Sequence, residues 1–168
     1  MDRARDGDEA FSAWAREHAP DLLRRATLLC GDRGLAEDLV QETLVRLFLR
    51  WPRIDHERSP TGYAATTLFR LFLAGRRRRS SGELPSWSVP EQATHPDDPA
   101  LRLDLSAALQ ALPPRQRCVV VARYVDDRPV PEVARLMRRS EGWVRITALR
   151  ALRSLRDSPF MATSSPRS

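Results

Sequence analysis

The side chains with the clearest chemistry are the arginines of residues 126–156, DDRPVPEVARLMRRSEGWVRITALRALRSLR. A guanidinium is a planar, permanently charged donor that can bind a phosphate or make a bidentate contact with the edge of a guanine. Arg145, Thr147, Arg150 and Arg153 fall largely away from Val144, Ala148, Ala151 and Leu155, as on the two sides of one helix. Ser140 is placed to cap that helix, with Glu141 against its positive end. Upstream, Pro131 suits a helix start, where its missing N–H has no intrahelical partner. Val133, Leu136 and Met137 follow at helical spacing, Ala134 leaves room for a neighbouring helix, and Arg138-Arg139 make the turn. Two short helices, the second one basic, form the pattern that lays a recognition helix in a duplex major groove. An ordinary helical hairpin with solvated arginines has the same outline.

Other chemistry finds little support. His18, His56 and His95 are scattered, with no Cys/His cluster at zinc spacing. Cys30 and Cys118 stand far apart among apolar residues and read as two buried thiols rather than a disulfide or metal site. There is no phosphate loop and no nucleophile motif, so no metal, no cofactor and no enzyme activity are expected. The longest apolar run, Val119 to Ala122, is far short of the ~18 residues of a membrane span, so no membrane insertion is expected. The charged start MDRARDGDEA argues against a secretory signal and for a cytoplasmic protein.

The 168 residues, 42% apolar, allow one or two small domains. The positive charge is all arginine: 28 Arg and no Lys. A GC-rich genome would favour arginine codons whatever the function, so its distribution says more than its abundance. Residues 1–80 carry 15 Arg against 12 acids, net +3. Residues 81–100 carry four acids and no Arg, net −4. Residues 101–168 carry 13 Arg against six acids, net +7. Two basic blocks around an acidic spacer suggest two surfaces for a polyanion.

The elements that must position these residues are helical throughout. The stretch SSGELPSWSVPEQATHPDDP, residues 80–99, is rich in Pro, Ser and Asp and reads as a linker. Ahead of it, helices are expected over 9–18, 20–30, 35–51 and 62–79, with Asp32 capping the third. That third helix has the clearest apolar stripe: Ala36, Val40, Leu44, Leu47, Phe48 and Trp51. After the linker, helices are expected over 101–112 and 115–124, then the pair described above. The fold class is therefore all-α: two small helical domains, 8–79 and 101–157, joined by a flexible acidic linker over 80–100, with a disordered tail at 158–168. The run Arg76-Arg77-Arg78-Arg79 exceeds what a helix C-terminus needs and points to phosphate contact.

AEDLVQETLVRL in the third helix closely resembles the polymerase-binding helix in region 2 of bacterial RNA polymerase sigma factors. LQALPPRQRCVVVARYVDD and the helix-turn-helix after it resemble the start of their region 4. Order, spacing and the absence of other domains are similar to the extracytoplasmic-function (ECF) group. LPPRQR and LLCGDRGLAEDLVQE are similar to its sigma-E-like branch in high-GC genomes. The resemblance covers about residues 10–156. It implies a transcription initiation factor that directs core RNA polymerase to promoters and assists melting of the DNA.

The resemblance also implies where contacts fall. Asp38, Gln41, Glu42 and Val45, with Leu49 one turn beyond, would dock on the clamp helices of the largest polymerase subunit, and the second domain on the flap. The −10 element would meet Arg53, His56, Arg58, Tyr63, Arg70 and Arg76 to Arg79. Trp51 and Tyr63 could stack on flipped bases or pack in the core, and Trp51 extends the apolar stripe. The −35 element would meet Arg139, Ser140, Trp143, Arg145, Thr147 and Arg150. An anti-sigma protein is a possible further partner. Twenty extended residues reach at most ~65–70 Å, enough for two elements less than two helical turns apart.

Several positions depart from the family pattern. Ala65 and Thr66 stand where it usually carries two arginines, and Ala74-Gly75 where it often carries Asp just before the basic run. Arg138 stands where the turn commonly has Gly, and Trp143 and Ile146 replace polar residues of the recognition helix. These departures sustain two alternatives: a sigma-like decoy that binds an anti-sigma protein, and a stand-alone helix-turn-helix regulator.

Overall fold

The computed structural model describes residues 2–54, 59–80 and 99–159, with backbone alone for 2–5, 76–80 and 99–104. The described residues form helices and turns without a strand. The order is α1 (Asp2–Cys30), α2 (Arg33–Arg50), a 3-10 turn (Trp51–Arg53), α3 (Pro60–Ser80), α4 (Pro99–Ala111), α5 (Pro114–Val120), α6 (Val130–Met137) and α7 (Glu141–Arg156). A widened π turn, Val121–Val125, extends α5.

The two helices expected over 9–18 and 20–30 are one helix of 29 residues, with Pro20 inside it. Proline removes one hydrogen bond and crowds the carbonyl of residue 16. Both Arg16 and Pro20 are exposed, so water can reach the affected turn. The buried face continues past it through Leu22, Ala26 and Leu29. Packing thus overrides a local break.

Gly31 ends α1 in a left-handed conformation (φ 69°), donating its N–H to Thr27 O at 2.8 Å. Asp32 then caps α2, accepting from Leu35 N at 2.7 Å as its sequence position implies. The buried stripe of α2 is Ala36, Val40, Thr43, Leu47, continued by Trp51 in the turn that follows. Thr43 holds the place expected for Leu44, because its hydroxyl is satisfied by Leu39 O at 2.7 Å. Phe11, Trp14, Phe48 and Trp51 cluster edge-on or tilted, with centroids 5.1–6.4 Å apart. Trp51 is buried, which settles its core role.

Both helical units are present, and they are packed on one another. One buried cluster joins Leu22, Leu29, Val40, Leu68 and Phe69 of the first to Cys118, Val121, Val133 and Val144 of the second. Polar contacts follow the same seam. The terminal carbonyls of α1 have no intrahelical donors. Gln110 Nε2 donates to Leu28 O at 3.0 Å, and Arg117 Nη1 to Leu29 O at 2.5 Å. Arg117 is only 2% exposed, so it belongs to the interior rather than to a phosphate-binding surface.

Two expected boundaries shift. Pro99 and Ala100 open α4 rather than closing the linker, whose residues 81–98 lie outside the described residues. Ser158 is buried, so it does not belong to a frayed tail.

Candidate functional site

The first surface is α2. Its inward stripe fixes the helix in the core, which leaves Asp38, Gln41, Glu42 and Val45 on the opposite side, all exposed. Val45 is 58% and Leu49 73% exposed, an unusual apolar presentation next to acid and amide groups. Glu42 pairs with Arg46 at 2.8 Å, a solvated contact one helical turn apart.

The second surface is the turn after α2 and the exposed side of α3. Arg53 and Arg70 are exposed and Tyr63 is 39% exposed. Ala64, Ala65, Leu68, Phe69 and Phe72 pack inward. Ala65 is therefore a core position in this chain, and an arginine there would have to bury its charge or push the helix outward. His56 and Arg58 lie outside the described residues, as do the side chains of Arg76, Arg77, Arg78 and Arg79, whose backbone is in the last turns of α3.

The third surface is α6–α7. Arg138 ends α6 with φ 52° and ψ 49°, and a Schellman pair forms from Arg138 N to Arg135 O and from Arg139 N to Ala134 O, the latter at 3.0 Å. A non-glycine residue holds the left-handed turn. Ser140 caps α7 through Trp143 N at 3.1 Å. The two helices border an open groove of about 890 Å³ lined by Arg135, Arg138, Arg139, Glu141 and Trp143 among others. Arg139 lies over the Trp143 ring, 5.6 Å from its centroid. Arg145 and Arg150 point outward, with Arg145 bonded to Glu141 at 2.9 Å.

Thr147 corrects an expectation. It is 7% exposed and packs inward with Val144, Ala148 and Ala151, because the i, i+3, i+4, i+7 stripe includes it. It is not available to touch DNA in this packing. The apolar newcomers of α7 divide: Trp143 is half-buried against the core, whereas Ile146 is 54% exposed beside Leu149 at 51%. Exposed Ile146 and Leu149 interrupt an arginine face and form a surface that charge counting passes over.

A group of residues not singled out by sequence joins the units. Arg25 Nε bonds Asp126 Oδ1 at 2.5 Å. Arg128 Nη1 donates to Thr66 Oγ1 at 3.0 Å and Nη2 to Gly62 O at 3.2 Å, with the guanidinium 5.7 Å from the Phe69 ring centroid. Burial pulls the Arg128 pKa down, and Asp126 opposes that. The only sequence signal was the polar DDRP break between two apolar helices.

Comparison with known proteins agrees with this anatomy. Residues 14–82 match the family model "Sigma-70 region 2" and residues 102–155 match "Sigma-70, region 4". The chain is 34% identical over 152 residues to RNA polymerase sigma-E factor of Streptomyces coelicolor, covering 88% of this chain and 84% of that one. It is 32% identical to the sigma-E factor of Streptomyces avermitilis over 88% and 83% of the two chains. In fold it is similar to the sigma factor RpoE crystallised with the anti-sigma factor NepR from Bartonella quintana, with TM-score 0.71, 19% identity, and coverage of 94% and 99%. None of the helices among the described residues is long and apolar enough to cross a membrane. Two family models in the expected order and sigma-E relatives aligned over most of their length lead to one conclusion: the chain belongs to the extracytoplasmic-function group of the sigma-70 family of RNA polymerase sigma factors, the transcription initiation factors that bind core polymerase and promoter DNA.

Proposed function

We propose that α2 is the polymerase-docking element of this sigma factor, through Asp38, Gln41, Glu42 and Val45, with Leu49 extending the patch. The observation that carries the reading is the exposure of Val45 and Leu49 on a helix whose other face is locked in the core. On this reading residues 8–79 bind the clamp helices and the −10 element, through Arg53, His56, Arg58, Tyr63, Arg70 and the arginines at 76–79. Residues 101–157 bind the flap and the −35 element, through Arg139, Ser140, Trp143, Arg145 and Arg150. The protein acts in the cytoplasm and adds no catalytic chemistry, since the polymerase holds the active site. An anti-sigma protein that covers the same surfaces is its expected inhibitor, a partner supported by the complex in which the related fold was solved.

Run-off transcription with purified core polymerase tests the docking face. The triple variant Asp38→Ala/Gln41→Ala/Glu42→Ala should fold normally, because all three side chains are exposed. It should lose co-purification with core enzyme and run-off product together. Undiminished initiation by that variant would sink the assignment.

A further inference from the structure

We propose that Ile146 and Leu149 of α7 read the C5-methyl groups of neighbouring thymines in the −35 element, a role that rests on the promoter reading above and adds a base class to it.

The pair occupies the outermost line of the helix. Val144, Thr147, Ala148 and Ala151 are buried. At ~100° per residue, Ile146 and Leu149 lie about 30° to either side of the direction opposite that buried set. Both are more than half exposed. Being three residues apart, they are neighbours on the helix surface, with Cβ atoms ~5–6 Å apart. Aliphatics scattered singly over a surface are ordinary, whereas two joined at the crest of a helix form a contact surface.

The surroundings decide what that surface meets. Arg145, Arg150 and Arg153 are exposed around the pair, and Glu141, one turn before Arg145, is already bonded to it. A partner helix would take its anchors at i, i+3, i+4 and i+7. Counted from Ile146, those further anchors are Leu149, Arg150 and Arg153, so the apolar row stops after two members. Leu152 is exposed as well, but it has turned about a quarter of a circle away from the crest. Two aliphatics enclosed by arginines suit a polyanion that carries small apolar spots, not an apolar groove. Duplex DNA is such a polyanion, and the thymine methyl is the apolar group on the base edges of its major groove. The arginines take phosphates or guanines, which an aliphatic side chain cannot bond.

The dimensions agree. A pair ~5–6 Å across spans at most about two base steps of ~3.4 Å. The thymines it touches are therefore adjacent or one pair removed. Ile146 stands where the family usually carries a polar residue. A polar side chain could bond several base edges, and isoleucine exchanges that latitude for contact with a methyl.

The test begins with holoenzyme selecting duplexes from a randomised pool long enough for both elements. Each thymine of the enriched −35 sequence is then replaced by deoxyuridine, which removes the C5-methyl and leaves base pairing intact. Wild-type affinity should fall about fourfold, the worth of one buried methyl, at one or two thymines no more than two steps apart. Ile146→Ala/Leu149→Ala should keep its helical circular dichroism, because both side chains are exposed, and should bind thymine and deoxyuridine duplexes alike. The assignment is overturned by an enriched element without a thymine on either strand, by a wild type indifferent to every deoxyuridine, or by a double variant as sensitive as wild type. A double variant that fails to co-purify with core polymerase overturns it too, since the pair would then dock protein. If the double variant loses helicity, Ile146→Ser replaces it. Sensitivity to at least one deoxyuridine should then vanish, and its persistence at all of them overturns the assignment. If no upstream element is enriched at all, the promoter reading itself fails, and the role of the pair falls with it.

Discussion

Arg25 Nε and Asp126 Oδ1 meet at 2.5 Å across 101 positions of sequence, joining α1 to the turn that follows α5. Asp126 is 4% exposed at its side chain, with Arg25 at 13% and Arg128 at 12%. One carboxylate therefore serves two largely buried guanidiniums. Asp126→Asn keeps the shape and removes the charge, so Arg25 loses its paired carboxylate and Arg128 the stronger of the two that act on it. Breaking such a pair from one side costs about 3 kcal/mol. A lower urea midpoint should report it. Asp157, paired with Arg156 at 2.9 Å in solvent, supplies the contrast. Its pKa is lowered by that hydrogen bond, yet Asp157→Asn should leave the midpoint unmoved, because exposed pairs add little.

Gly31→Ala tests the seam at its other end. Gly31 has φ 69°, and a Cβ there would lie 2.3 Å from Gln110 Cδ. Gln110 cannot swing away freely, because it donates to Leu28 O and accepts from Arg117 Nη1 at 2.5 Å. The backbone alone should cost ~1–2 kcal/mol. Thermal unfolding should fall, and amides at the end of α1 should exchange faster. A loss confined to the midpoint, with those amides unchanged, would mean that Gln110 had moved without loosening the seam.

Arg138→Gly should act in the opposite direction. Arg138 sits at φ 52°, is exposed, and makes its end-of-helix bonds through the backbone. Glycine meets that geometry without strain, which is worth about 1 kcal/mol. The variant should unfold at higher denaturant. If Arg138 also contacts a phosphate, promoter binding should lose about one unit of salt slope. Stability and DNA affinity would then move in opposite directions, a separation that no general folding defect produces.

Local physics was legible in the sequence wherever periodicity and capping decide. The caps at Asp32 and Ser140, the inward face of α6, most of those of α2 and α7, and the exposed Asp38, Gln41 and Glu42 follow from spacing, whereas Phe48, placed on the inward stripe of α2, is 43% exposed. Non-local contacts were not legible. Arg117 resembles a surface cation in sequence, but it is buried because four oxygens converge on its guanidinium: Leu29 O, Gln110 Oε1, Gln110 O and Leu112 O. Three are main-chain carbonyls, and carbonyls leave no mark in a sequence. Arg25 and Arg128 were counted within the basic blocks because their partners lie far away in sequence, although they are held largely inside the protein. Thr147 misled in the reverse sense: a polar type occupied an i+3 position that geometry assigns to the core.

Arg145 and Arg150 can be told apart by function. Both are exposed on α7. Substitution to Ala should weaken binding of the holoenzyme to a −35-containing duplex without lowering protein stability. A bidentate guanine contact is worth ~1–3 kcal/mol, or roughly 5- to 150-fold, and its loss relaxes preference at one base. A phosphate contact instead weakens every sequence alike and lowers the salt slope by about one. A titration of both variants in salt, on matched and mutated −35 duplexes, assigns each residue. Glu141 draws one Nη of Arg145 and part of its charge away from DNA, so Glu141→Gln should strengthen binding through Arg145 more than binding through Arg150.

Cys118 gives a pH dependence whose sign follows from burial. The thiol is fully buried, and desolvation pushes its pKa far above the usual thiol range; the positive charge of Arg117 opposes this. In the unfolded chain the same thiol ionises near its ordinary ~8.5. Below that value both states hold the proton, and the group adds no slope. Above it the native state keeps a proton that the unfolded state has released, so folding stability falls as pH rises. The slope is about 1.4 kcal/mol per pH unit for one proton. Wild type and Cys118→Ala should therefore lose stability at different rates between pH 9 and 11, the wild type faster, while other groups contribute equally to both. Parallel curves would show that the thiol is reached by water in the native state, and that the junction of α5 with α1 opens more often than its packing implies.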